Sequence, residues 1–202
     1  YDRSTGALVD SVWMADLLNP LETGLGHGAS FYWASLFGSA NEDYTHVNAF
    51  DIGEDGHMYS SLWSHDAIFV MNGGPMTTDF GTHRWTLVGM EDSPLAPGDF
   101  DFFSSNDHPV AFSHEHHVEM HEDGVMTLFD NQSQANSRAI RVDIDEDAGT
   151  ADLVDVWELP RFCSAQGSAF WLDNGNMVAT CSATFTVYEF SEPGDDYDWS
   201  MT

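Results

Sequence analysis

The sequence predicts an all-β fold made of repeated four-stranded antiparallel units, the pattern of β-propeller blades. Three observations carry this. Short runs rich in β-branched and aromatic residues recur at residues 58–62, 67–71, 125–129 and 185–190. The turn dipeptides Asp55-Gly56, Asp123-Gly124 and Asn174-Gly175 punctuate them as hairpins. Helical periodicity is nearly absent, residues 11–18 being the one weak candidate.

Aligning the turns exposes a repeat. A first unit opens at His46-Val-Asn-Ala-Phe50, turns at Asp55-Gly56 and continues through residues 58–62, 67–71 and 84–88. A second opens at His116-His-Val-Glu-Met120, turns at Asp123-Gly124 and continues through residues 125–129, 138–142 and 151–159. In both, a histidine precedes a tryptophan (Trp85, Trp157) by about 40 residues, the length of one blade. A third opens at Gly167-Ser-Ala-Phe-Trp-Leu172 and turns at Asn174-Gly175. Approximate blades are therefore 46–89, 116–159 and 167–190 of a single domain, 1–202. Upstream, Asp2-x-x-Thr5-Gly6 followed by Trp13 resembles the closing strand of an earlier unit. Closed propellers need about four to eight blades, so a piece of a larger propeller is expected, incomplete at its N-terminal side. Two loops rich in Gly, Ser, Pro and Asp, residues 19–43 and 90–109, interrupt the repeat. Such insertions either cover a functional face or simply run over the surface.

Composition narrows the function classes. Of 202 residues, 42% are hydrophobic, enough for a packed core and against disorder. The 34 acidic residues face 5 basic ones, all arginine, for a net charge of -29. Such a surface repels phosphates, which argues against nucleic acid and anionic membranes as partners. It suits a solvated surface at high salt, as in halophilic or marine settings. No run of about 18 apolar residues is present, so no membrane insertion is expected. Residues 1–4 do not open a signal peptide. Cys163 and Cys181, the two cysteines, fit one disulfide in an oxidising compartment and fit two buried thiols equally well.

The chemical centre is expected in Phe112-Ser-His-Glu-His-His-Val-Glu-Met-His121, which holds four of the ten histidines. Strand alternation puts His114 and His116 on one face and sends His117 and His121 to the other, as inter-unit or surface residues. The cluster also invites a metal reading, with Glu115 or Glu119 completing a site for zinc, copper or nickel. No established zinc spacing is met, and Asp143-x-Asp145-x-Asp147 lacks the glycine and glutamate of a calcium loop. No metal and no other cofactor is expected.

His46-x-Asn48, Glu115-His116, Asp123-Gly124, Leu128-Phe-Asp-Asn131, Ser137-Arg-Ala139 and Gln166-Gly-Ser168 with Asn174-Gly-Asn176 occur in this order. Together they resemble the arylsulfotransferase (aryl-sulfate sulfotransferase) β-propeller family over about residues 2–189. Phe-Asp-Asn followed by Ser-Arg-Ala is the most specific part. The resemblance implies later blades of a six-bladed propeller, periplasmic or extracellular. It also implies sulfuryl transfer from a phenolic sulfate ester to a phenol through a histidine, without a nucleotide donor. The partners would be a small-molecule aryl sulfate and a phenol, with the oligomeric state left open.

By motif position the resemblance makes His116 and His46 the catalytic candidates. Asn48, His114, Asn131 and Arg138 are the candidates for substrate binding. Asn131 has an alternative role closing the turn after Asp130, and Arg138 an alternative role pairing with a nearby acid. A neutral imidazole is a good nucleophile near pH 7, and donors are needed for the charge on the transferring group's oxygens. Departures from the family pattern are Glu115 in place of glutamine, Trp63 in place of arginine, and no arginine soon after Asn131. Gly167 in the third unit stands where the second has His116. The missing arginines favour the competing reading, a non-catalytic propeller that binds through its funnel or loops. A metal-binding histidine site is the further alternative.

Overall fold

Period-two alternation sends side chains to both faces of three stacked sheets, and what lies between the sheets is the core. The computed structural model describes residues 4–8, 10–19, 44–73, 78–131, 133–194 and 196–202. The first sheet runs β1 (Val47–Ile52), β2 (Met58–Leu62), β3 (Ala67–Met71), β4 (His83–Val88), each strand antiparallel to the next. The second contains β6 (His116–Met120), β7 (Val125–Asp130), β8 (Arg138–Asp145) and β9 (Thr150–Glu158), again antiparallel. At its outer edge a short strand, β5 (Asp101–Phe103), joins β9 in parallel. The third sheet runs β10 (Ser168–Trp171), β11 (Met177–Cys181), β12 (Thr186–Phe190), β13 (Trp199–Met201). One helical turn, α1 (Met14–Leu17), is the only α-helix among the described residues.

The all-β expectation holds, and the three hairpin turns fall where the dipeptides place them. Met58 pairs with Ile52, Met126 with Met120 and Met177 with Trp171 across them. Two strands carried no advance signal. β5 has only three residues inside a loop, and β13 owes its form to pairing with β12 rather than to alternation. Conversely, the closing strand expected between Thr5 and Trp13 does not form in the described part of that segment. It has no ladder partner there, and Trp13, 74% exposed, leads instead into α1. The 19–43 loop lies almost wholly outside the described residues.

Packing follows from the strand faces. Tyr59, Ile68, Val70, Trp85 and Leu87 of the first sheet meet Val118, Met126, Leu128, Ile140 and Val142 of the second. Phe129, Ala139 and Trp157 on the second sheet's other face meet Ala169, Met177, Ala179, Tyr188 and Phe190 of the third. Leu62, Phe69 and Met71, facing outward from the first sheet, are covered by Leu18 with Met14, Leu17 and Tyr44. The opening strands β1, β6 and β10 are neighbours at one edge of this stack. Cys163 and Cys181 are bonded, Cα atoms 5.6 Å apart, which ties the segment after β9 to the end of β11.

Candidate functional site

The second sheet's opening segment is placed by contacts to elements far away in sequence. Phe112 is fully buried and donates its N–H to the Gly89 carbonyl at 3.2 Å. A Cβ at Gly89 would lie 2.1 Å from the Phe112 carbonyl oxygen, so only glycine permits this approach. The next two N–H groups go to buried carboxylates, Ser113 to Asp130 at 3.0 Å and His114 to Asp66 at 2.7 Å. His46, Asp66, His114 and His117 all have positive φ, at 43, 49, 52 and 53°. Side-chain-bearing residues adopt this region at a cost, and it concentrates where surrounding contacts enforce a particular geometry.

These constraints bring three histidines together. Trp63 stands between two of them, its ring centroid 4.9 Å from His46 and 4.2 Å from His114, edge-on to the latter. The His114 Nδ1 lies 2.7 Å from the Ser113 hydroxyl and 3.5 Å from Asp66. His46 and His114 are both electrostatic neighbours of His116. His114 and His116 are neighbours, but not through strand alternation: His114 precedes β6 with a left-handed backbone, and its carbonyl lies 3.2 Å from the His116 Nδ1.

His116 is held in one tautomer. Its Nδ1 faces two oxygens, Asn131 Oδ1 at 2.8 Å and the His114 carbonyl at 3.2 Å. The Asn131 amide cannot be turned around, because its Nδ2 donates to the carbonyls of Cys163 at 2.9 Å and Gln166 at 2.8 Å. With two acceptors on Nδ1, the proton sits there and Nε2 carries the lone pair. Burial keeps the His116 pKa below its ordinary value; the two hydrogen bonds oppose this, and His46 and His114 reinforce it. The imidazole is therefore neutral at pH 7.

Asn131 is completely buried, and all three described polar contacts of its side chain are internal. Asn48 donates Nδ2 to the Glu115 carbonyl at 2.7 Å, which joins β1 to the His114–His116 segment. Arg138 is not brought to the histidines' rings. Its side chain is 2% exposed and its Nε bonds Asp130 at 2.7 Å, while Nη2 donates to the carbonyls of Pro109 and Ala111. It thereby anchors the chain leading into Phe112.

Glu115 lies between the two candidate histidines with its side chain turned inward. The residue is 0% exposed, Oε1 lies 3.2 Å from Ser61 Oγ, and Oε2 has no partner among the described residues. Burial first, then the nearby Asp66 and Asp130 charges, push its pKa up to about 8 against the opposing hydrogen bonds of its own backbone N–H and Ser61.

His117 and His121 go elsewhere. The ladder skips a residue between His116 and Val118, and His117 turns its ring to the third sheet. There its Nδ1 accepts from Ala169 N–H at 3.3 Å and its ring meets Phe170 at 4.5 Å. His121 bonds the Thr127 hydroxyl at 3.0 Å and lies edge-on to Trp171. Among the described residues no three His, Cys, Asp or Glu side chains gather as a metal-ion site. A cleft of about 970 Å³ at the hairpin ends is lined by Glu54, Asp55, Asp145, Glu146 and Asp147 among others, and includes none of His46, His114 and His116.

Gly167 explains the missing third histidine. A Cβ there would lie 2.5 Å from the Phe129 ring, so no side chain fits. The three histidines, the Phe-Asp-Asn turn that locks one of them and the Ser-Arg-Ala strand start form one connected unit. Residues 1–199 match the family model for arylsulfotransferase (ASST). The chain belongs to the arylsulfotransferase family. Among curated proteins no relative matches it.

In this arylsulfotransferase-family chain, Ser61, Asp66 and Asp130 shape the site and escaped the sequence reading. Ser61 sits in an ordinary strand pattern. The left-handed turn at Asp66 has no local sequence mark, and Asp130 was visible only as part of Phe129-Asp-Asn131.

Proposed function

We infer that this chain transfers a sulfuryl group from an aryl sulfate to a phenol, with His116 as nucleophile. The observation that carries the reading is the tautomer lock on His116. In the first half-reaction Nε2 forms a bond to sulfur as the sulfur–aryl oxygen bond breaks, and the phenolate leaves with a proton taken from water or a neighbouring imidazolium. In the second, a phenol oxygen attacks sulfur, its proton is released and Nε2 regains its lone pair. Asn131 acts by holding Nδ1, and His46 and His114, when protonated, supply positive charge to the sulfate oxygens. Arg138 acts through the backbone it anchors.

The same reading extends to architecture and place. The three sheets are taken as successive blades of one propeller domain, approximately 46–89, 116–159 and 167–190, with a six-bladed whole as in the family. Three stacked sheets, two of four strands and one of five, whose opening strands are neighbours support it. The Cys163–Cys181 bond supports an oxidising compartment, periplasmic or extracellular.

The test is incubation with an aryl sulfate and a phenol acceptor. Release of the donor phenol, with an acid-labile sulfuryl group trapped on the peptide containing His116, is the expected result. No phenol released and no trapped group would instead favour a propeller that binds without catalysis.

A further inference from the structure

Of the carboxyl groups around the histidines, one has no cation and no full set of donors. Asp130 is paired with Arg138 at 2.7 Å, and Asp66 receives the His114 N–H. Glu115 has its own backbone N–H and the Ser61 hydroxyl, 3.2 Å from Oε1, as hydrogen-bond neighbours, and nothing on Oε2 among the described residues. The groups facing it from the packed elements are Asp66 before β3, Asp130 at the end of β7 and the flanking histidines. An ionised carboxylate in that enclosure would be desolvated, half-bonded and repelled by two others.

We propose that Glu115 works as a neutral carboxylic acid, a positioning residue that sets the backbone between His114 and His116 and keeps a negative charge out of the histidine cluster. Its backbone carbonyl is fixed by Asn48 at 2.7 Å and by Ser61 at 3.1 Å. With Glu115 neutral, the single Ser61 proton goes to the Glu115 carbonyl and the Ser61 oxygen can accept the acid proton, so Ser61 touches both the main chain and the side chain of Glu115. Ionisation would break the balance in two ways. The carboxylate would draw in water or move outward, shifting the two histidines, and an anion would then stand beside a site that takes an anionic substrate. This second consequence rests on the sulfuryl-transfer reading; the first does not.

The sign of the linkage is fixed by the raised pKa. The folded chain keeps the Glu115 proton up to about pH 8 while an unfolded chain releases it near pH 4.5. Stability associated with this group is complete below pH 4.5 and is lost as pH rises towards 8. The loss amounts to about tenfold in the folding equilibrium per pH unit. Glu115→Gln keeps the shape and cannot ionise.

The test compares wild type with E115Q and E115A by urea unfolding from pH 5 to 9, and by aryl sulfate turnover over the same range. E115Q is expected to match wild type at pH 5 and to exceed its stability increasingly up to pH 8. It should retain turnover above pH 8 where wild type declines, and restore at pH 7 what E115A loses. Parallel stability curves for wild type and E115Q, or an E115Q chain that fails to fold, would overturn the proposal. If no variant turns over substrate, the stability curves alone decide the neutral acid, and the sulfuryl-transfer reading is what fails.

Discussion

His116 and His117 are adjacent, both half-buried, and both held below the usual histidine pKa by burial, yet they belong to different parts of the molecule. His116 faces His46 and His114 and has its Nδ1 fixed by Asn131, which leaves Nε2 for chemistry. His117, the residue skipped in the β6–β7 ladder, uses its Nδ1 to satisfy the Ala169 N–H of the next sheet. One ring is tethered so that a nitrogen stays available. The other spends its described hydrogen bond on holding two sheets together. What separates a reagent from a rivet is which atoms the neighbours consume, since burial and residue type are the same.

The sharpest way to break the comparison is substitution at both positions. His116→Ala should cost on the order of a thousandfold in turnover, and about 1–3 kcal/mol of stability because it leaves the buried Asn131 Oδ1 without its donor. His117→Ala should leave turnover within a few-fold and cost about 1–3 kcal/mol of stability by orphaning the Ala169 N–H. Loss of turnover in both would mean that the sheet junction, not His116 alone, sets the activity. Asn131→Ala comes next, releasing the tautomer; roughly a hundredfold lower turnover is expected, measured as kcat with KM little changed.

The pH dependence sharpens the same point. His116 must be neutral to attack, and its pKa is depressed, so activity should persist down to pH values below the ordinary histidine range before falling. An acid limb at or above pH 6.5 would place the titration on another group. Opening the Cys163–Cys181 bond by Cys181→Ser should cost about 2–4 kcal/mol in chemical unfolding. The smallest effect is expected at Arg141, paired with Asp155 at 2.8 Å and 4.8 Å from the Trp171 ring. Arg141→Ala should change stability by no more than about 1 kcal/mol and leave turnover unchanged.

The sequence carried the local part of this structure. Runs such as Ala67–Met71 and turns such as Asp55-Gly56 encode strands and hairpins within a few residues. Alternation set His114 and His116 apart from His117 and His121, whereas the structure separates them through left-handed residues at His114 and His117 and a skipped ladder position. Three things were not encoded locally. The inward turn of Glu115 depends on Ser61, 54 residues away. The commitment of Arg138 depends on the carbonyls of Pro109 and Ala111. The glycine at position 167, conspicuous as the absence of a histidine, follows from a Phe129 ring on another sheet. Each is a contact between segments distant in sequence, and periodicity contains no information about which segments meet.

The reach of Asn48 to the Glu115 carbonyl, 67 residues along the chain, has a consequence for how the protein is made and how it fails. Hairpins close early because their ends are near in sequence, whereas a contact of that span waits until whole sheets have docked. The histidine cluster is thus among the last features to assemble and among the first to come apart. On gentle heating or in dilute urea, activity should vanish while most of the β-sheet signal in circular dichroism persists. The site then behaves as a gauge of sheet docking, and substitutions far from any histidine will register in turnover before they register in fold.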